Sequence, residues 1–217
     1  MSDHFTVYGS AGYGSTIVEG ALELLGLPWV SIEAGPAGTL DEQALLASVN
    51  PMKQTPVLAA PDGTLMTESA AILLWLGDLF PDKALTPAPA APERAGFLRW
   101  LAFIPAQIYP MYLLKDHPDA WVRSAEAGDE LREAAVEQIK RAWRVMEAEI
   151  APAPFLLGAR ISLLDLYVCI VSRWTPRRVW FEDNCPRLNA VAERVDALPA
   201  LQDFWTRRFP FEDGWRG

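Results

Sequence analysis

Four hydroxyls crowd one short stretch: the run Gly9–Thr16, "GSAGYGST", holds Ser10, Tyr13, Ser15 and Thr16 among three glycines. A hydroxyl at a helix entrance can cap backbone N–H groups or donate to a bound anionic atom. A second such place is Glu68-Ser69, which opens the apolar run "AAILLWLGDLF". The free N–H groups and the positive dipole end of a helix start favour an anion. The plainer alternative is that Thr67 caps this helix and Glu68 only complements its dipole, worth about 0.5–1 kcal/mol. Upstream stands Thr55-Pro56, at the head of the short apolar run "PVLAA". Proline lacks the N–H a central strand needs, so it marks a strand edge with a special role.

Inside the first turn several roles stay open. Ser10 follows a strand directly and can simply close the turn. Thr16 precedes Glu19 by three and can form a capping box. Ser15, at the helix entrance, can cap the backbone or donate to a ligand. Tyr13, between two glycines, can be a donor or an aromatic wall.

Other chemistries find little support. Cys169 and Cys185 have neither metal nor redox spacing, and no Cys-x-x-Cys exists. His4 and His117 have no carboxylate or second histidine placed to suggest a metal, so none is expected. No apolar run approaches the roughly 18 residues of a membrane span. The N-terminus "MSDHFTVYGS" has no basic n-region or apolar h-region, so no secretory signal is expected and a reducing cytoplasm is the simplest compartment. The net charge of −9 is unevenly spread, with nine acidic side chains against Lys53 alone in residues 1–80. Such a surface argues against nucleic acid as a partner.

The elements that must position these residues fall into two halves of the 217-residue chain. Residues 1–80 alternate strand and helix. "FTVYG" and "PWVSIEA" read as strands, with "STIVEGALELLG" as a helix between them that buries Ile17, Ala21, Leu22 and Leu25. "TLDEQALLASVN" is a second helix, "PVLAA" and "TLMT" form a hairpin through Pro-Asp-Gly, and Glu68-Ser69 starts a third helix. The order is βαβα-ββα. Residues 81–92, "PDKALTPAPAAP", read as a stiff proline-rich linker. Residues 93–217 read as all-helical. Pro105 and Pro110 kink a long aromatic helix, Ser162 and Asp165 form a capping box, and two shorter helices end the chain.

A βαβα-ββα domain with a proline before its third strand is the thioredoxin-like arrangement, in which that proline is typically cis. Followed by a linker and an all-helical domain, it resembles the soluble glutathione S-transferase family over essentially the whole chain. The residues that carry the resemblance are "NPMKQTPVL" (Asn50–Leu58), Glu68-Ser69, "LELLGLPW" (Leu22–Trp29) and "SLLD" (Ser162–Asp165). "NPMKQ" is similar to zeta-type members, which isomerise maleylacetoacetate.

The resemblance implies glutathione as co-substrate. Gln54 and Thr55 would bind it, Thr55 through backbone N–H and C=O as an added strand would. Glu68 would take the α-ammonium and Ser69 the α-carboxylate of the γ-glutamyl group. Glutathione reacts as a thiolate, and a free thiol titrates near about 8.5, so the site must lower that value. The resemblance places this task in Gly9–Thr16. Zeta-type members carry Ser-Ser-Cys there, which this chain lacks, and cysteine-type members are excluded because no cysteine precedes Cys169. Ser15 ranks before Tyr13 as the catalytic donor, since a thiolate at Ser15 would gain both a hydroxyl and a helix dipole.

An electrophile pocket would come from "FIPAQIYPMY", with Tyr109 and Tyr112 beside Met111, although an aromatic stripe at helical spacing can equally be core. The family pairs two chains, the first domain of one against the second of the other. Arg94 and Arg99 would then meet the acidic half of the partner in a homodimer. The expected function is addition of glutathione to small apolar electrophiles, as in detoxification. The alternatives are a maleylacetoacetate-type isomerase, for which residues 1–80 offer only Lys53 as a cation, and a non-catalytic glutathione-binding module.

Overall fold

The computed structural model describes residues 3–210. Of the described residues, 3–88 together with 194–210 form one compact unit, and 89–193 form the other.

In the first unit, β1 (Phe5–Gly9) leads through the hydroxyl-rich turn into α1 (Ser15–Leu25). Gly26 stops this helix in the left-handed region, at φ 66°. β2 (Trp29–Glu33) and α2 (Leu40–Val49) follow, and Thr39 and Glu42 close a reciprocal capping box at the start of α2. β3 (Val57–Ala59) and β4 (Leu65–Thr67) form the hairpin, and α3 (Ser69–Leu79) completes the order. The sheet runs β2-β1-β3-β4, with β1 and β2 parallel and the other neighbours antiparallel. This is the thioredoxin-like arrangement.

Alternation on β1 decides the layers. Phe5 and Val7 are buried on one face, and Phe5 packs edge-on against Phe80 at the end of α3. The other face carries Tyr8 and Val57, which join Leu46 of α2 and Ala34 in a second cluster. Ile17, Val18, Ala21, Leu22 and Leu25 of α1 are fully buried, the face that the helical spacing predicts.

The topology fixes where chemistry can sit. β1 and β4 point the same way, because each is antiparallel to β3. Both α1 and α3 follow those strands directly, so two helix starts open at one end of the sheet.

The second unit is helical. α4 (Arg94–Phe103) continues through a π-helical turn (Ile104–Ile108) into α5 (Tyr109–Asp116). The widened turn lies where Pro105 and Pro110 interrupt the ladder, and Tyr109 N–H reaches back five residues to the Ile104 carbonyl. α6 (Ala125–Glu149) is amphipathic, and α7 (Leu163–Val171) is buried along its whole length. α8 (Arg177–Asn184) is a helix that the sequence pattern did not reveal. α9 (Pro186–Asp196) leads back to the first unit, where α10 (Gln202–Arg208) packs beside α1.

Arg99 pairs with Glu149 at 2.6 Å and stacks on Trp100, while the Arg94 guanidinium lies over the Phe97 ring. Both arginines thus have partners inside their own unit.

Candidate functional site

The residues expected to bind glutathione flank the β3–β4 hairpin. Val57 pairs with Thr67, and Tyr8 pairs with Val57. Thr55, two residues ahead of β3, therefore lies at the same end of the sheet as Ser69, two residues past β4, and Ser10, just past β1. The Thr55-Pro56 peptide is cis. Gln54 is exposed and Thr55 half-buried. The Asn50 side chain donates to the Gln54 carbonyl at 2.8 Å, tying this segment to the end of α2.

Glu68 is the N-cap position of α3, and its side chain makes no capping hydrogen bond. Thr67 does not cap the helix, since it ends β4 paired with Val57. Glu68 sits at φ 64°, ψ 104°, outside the regions L-residues favour, with its side chain exposed. Backbone held this way costs about 1–3 kcal/mol and concentrates at ligand sites. Ser69, the first residue of α3, is 7% exposed.

The Gly9–Thr16 turn is tightly made. Tyr13 N–H donates to the Ser10 carbonyl and Thr16 N–H to the Tyr13 carbonyl. Ser15 is fully buried: its hydroxyl accepts from Ser10 N–H at 3.1 Å and donates to the Ser10 carbonyl at 3.0 Å. A Cβ on Gly9 would fall 2.0 Å from the Ser15 Cβ, so only glycine lets Ser15 seat there. The one hydrogen of the Ser15 hydroxyl is therefore held by the turn itself. The Thr16–Glu19 capping box does not form. Gly14 is the N-cap of α1 without a side-chain cap bond, Thr16 is buried inside the helix, and the Glu19 carboxylate binds Arg208. Tyr13 is 40% exposed and Ser10 half-buried.

Tyr109 and Tyr112 belong to an aromatic cluster of the second unit, both edge-on to Trp174 at 5.6 Å. The Tyr112 hydroxyl donates to the Thr175 carbonyl at 2.8 Å. Burial pushes that hydroxyl well above the ordinary phenol range; the nearby Asp116 charge adds to the shift, and the Trp143 side chain beside it opposes it. The Tyr109 hydroxyl is buried as well. Among the described residues, no group of three or more His, Cys, Asp or Glu is placed to hold a metal, and no helix is long and apolar enough to cross a membrane.

The chain is 34% identical over 204 residues to the uncharacterised GST-like protein YncG of Escherichia coli K12, covering 93% of this chain and 97% of that one. It belongs to the soluble glutathione S-transferase family. The profile of the family's N-terminal domain matches residues 15–79, which hold Ser15, Thr55, Glu68 and Ser69. Glutathione S-transferase GstA of Escherichia coli O157:H7 is 25% identical over 156 residues, 72% of this chain and 74% of its own. In fold, the chain is similar to a glutathione transferase homolog from Sulfitobacter crystallised with bound glutathione. The TM-score is 0.81 at 20% identity, over 95% of this chain and 99% of that one.

The sequence pattern does not reveal Arg208, which binds Glu19 of α1 and Glu33 of β2. The signal was present in the acidic first half, but its cation comes from the far end of the same chain.

Proposed function

We propose that this protein binds glutathione where α1 and α3 begin and adds its thiolate to small apolar electrophiles. The observation that carries the reading is Glu68: an exposed carboxylate, held at positive φ on a helix start with no side-chain cap, directly after β4 and at the end of the sheet where Thr55 leads into β3. In this reading Thr55 offers its backbone to the cysteinyl unit and Gln54 flanks it. Glu68 receives the α-ammonium, and Ser69 with the α3 N–H groups receives the α-carboxylate. Family membership supports the assignment, as does the bound glutathione of the Sulfitobacter homolog.

Tyr13 is the activating donor in this proposal, ahead of Ser15. The Ser15 hydrogen is held by Ser10, whereas the Tyr13 ring is exposed within the same turn. The electrophile would lie against aromatic surface, to which Tyr109 and Tyr112 lend ring area rather than hydroxyls. A cytoplasmic homodimer remains part of the proposal, and a sedimentation mass of one chain at micromolar concentration would reject the dimer.

Titration calorimetry tests the binding reading. A dissociation constant between about 1 μM and 1 mM is expected, typical of a co-substrate. Absence of heat at millimolar glutathione would end it. The commitment of Ser15 to the turn favours a second reading, a binding module without catalysis. Glutathione-dependent chloride release from an activated aryl chloride separates the two, since the thiolate forms the new C–S bond as chloride leaves.

A further inference from the structure

The end of α10 holds the hydroxyl-rich turn from behind by two routes. Through the backbone, Gly12 N–H donates to the Arg208 carbonyl at 2.9 Å. Through the side chain, Arg208 grips α1, the helix that the turn feeds. Its Nε and Nη2 reach Glu19 Oε2 and Oε1 at 2.8 and 2.7 Å, and Nη1 reaches Glu33 Oε1 at 2.8 Å. Ser31 Oγ closes the network, donating to Glu19 at 2.9 Å and accepting from Arg208 at 3.0 Å. Glu19 is fully buried, so its charge needs this two-pronged guanidinium.

Gly12 is at φ 76°, and the Phe209 ring lies against it, 3.7 Å from where a Cβ would stand. The residue so fixed directly precedes Tyr13. The neighbouring Arg207 provides a contrast on the same helix. It meets Glu23 only at 3.8 Å, half-exposed, and the Trp29 ring from 6.0 Å.

We propose that Arg208 is a positioning residue that fixes Gly12, and through it the direction of Tyr13 toward a bound thiol. This rests on the glutathione reading of the turn. A lysine would keep the charge but not the planar fork, which needs two parallel bonds to Glu19 while its carbonyl stays over Gly12.

The experiment compares Arg208→Lys with Arg207→Lys in the full chain by three readouts: amide exchange at Gly12 and Tyr13 without ligand, the pKa of bound glutathione by thiolate absorbance, and the thermal midpoint. Relative to Arg207→Lys, Arg208→Lys is expected to speed Gly12 exchange by about tenfold or more. It should also raise the bound-thiol pKa by about half a unit or more, with the glutathione dissociation constant changed by less than about threefold. A lower midpoint with Gly12 exchange and thiol pKa equal to those of Arg207→Lys overturns the proposal. If the wild-type protein takes up no glutathione, the functional reading falls and the exchange arm still decides. Faster Gly12 exchange sustains the holding role, and unchanged exchange removes it. Should Arg208→Lys fail to fold, Glu19→Gln, which keeps the acceptor's shape without its charge, is read by the same criteria.

Discussion

At the start of α7, Asp165 folds back on the residues before it, while at the start of α3 the exposed Glu68 makes no such bond. Asp165 is fully buried and accepts from Leu156 N–H, Ser162 N–H and the Ser162 hydroxyl at 2.6–2.7 Å. Burial pushes its carboxyl up, and those three donors pull the other way. Glu68 makes no capping bond and sits on backbone that an L-residue adopts at a cost. Both places pair a serine with a carboxylate ahead of an apolar helix. One uses both to build the fold, whereas at the other the serine is buried and the carboxylate is exposed. A start without a side-chain cap, on backbone held at positive φ, is the feature on which the glutathione reading of α3 rests.

The largest expected effect comes from breaking the inward pair. Asp165→Ala leaves three buried donors without an acceptor, a loss of about 3 kcal/mol or more. Calorimetry should show a midpoint lower by about 10 °C. Glutathione affinity of the remaining folded protein should be unchanged, and a large loss of affinity would mean the two helix starts are not independent.

Next is the turn at the same end of the sheet as the start of α3. Tyr13→Phe should cut turnover by about 10²-fold and leave the midpoint in place, as loss of one oriented donor does. Ser15→Ala should instead lower stability by about 1 kcal/mol and leave the bound-thiol pKa where it was. The opposite pattern would return Ser15 to the catalytic role.

Glu68→Gly is a smaller change of opposite sign in stability. Glycine accepts φ 64° without a Cβ penalty, so the folded state should gain up to about 1 kcal/mol while glutathione binding weakens by about tenfold or more. Weaker stability and unaltered binding would show that the strain serves the fold alone.

The smallest effect concerns a third helix start. Thiols near such a start are usually acidified. At α9, however, the Glu147 carboxylate already accepts from the N–H groups of Arg187 and Leu188. The Cys185 thiol just ahead is pushed up to about 12, by burial first and then by the Glu147 charge. At pH 8 it should stay protonated and label negligibly with a thiol reagent, while the denatured chain should yield both cysteines. Rapid labelling of Cys185 in the folded protein would contradict this.

Much of the architecture was legible because it is local. Period-3.6 apolar spacing marks α1 and α6, Pro-Asp-Gly marks the hairpin turn, where Gly63 takes φ 92°, and the Ser162–Asp165 spacing marks a cap. Thr55 and Glu68 flank the same β3–β4 hairpin, and the sequence joins them through the family resemblance rather than through a contact it displays. α8 escaped because its hold is long-range: Arg178 donates to the Cys169 carbonyl at 2.8 Å, and Phe181 packs on Trp143 at 5.1 Å. Ser15 looked available because a sequence does not display the bare Cα of Gly9 against which it seats. The charge asymmetry was visible, but sequence alone assigned its complement to a partner chain. Arg207 and Arg208 supply part of that complement from within, to Glu23, Glu19 and Glu33.

The bond between Glu19 and Arg208 joins residues 189 positions apart, and that distance is also an interval of time. A ribosome adds about 5–20 residues each second, so the cation for this carboxylate emerges roughly ten seconds or more after α1 does. Until then the Glu19 carboxylate lacks the guanidinium that it pairs with in the finished fold. The sheet domain therefore comes first in translation order, yet it acquires its finished form only after the helical domain has been made.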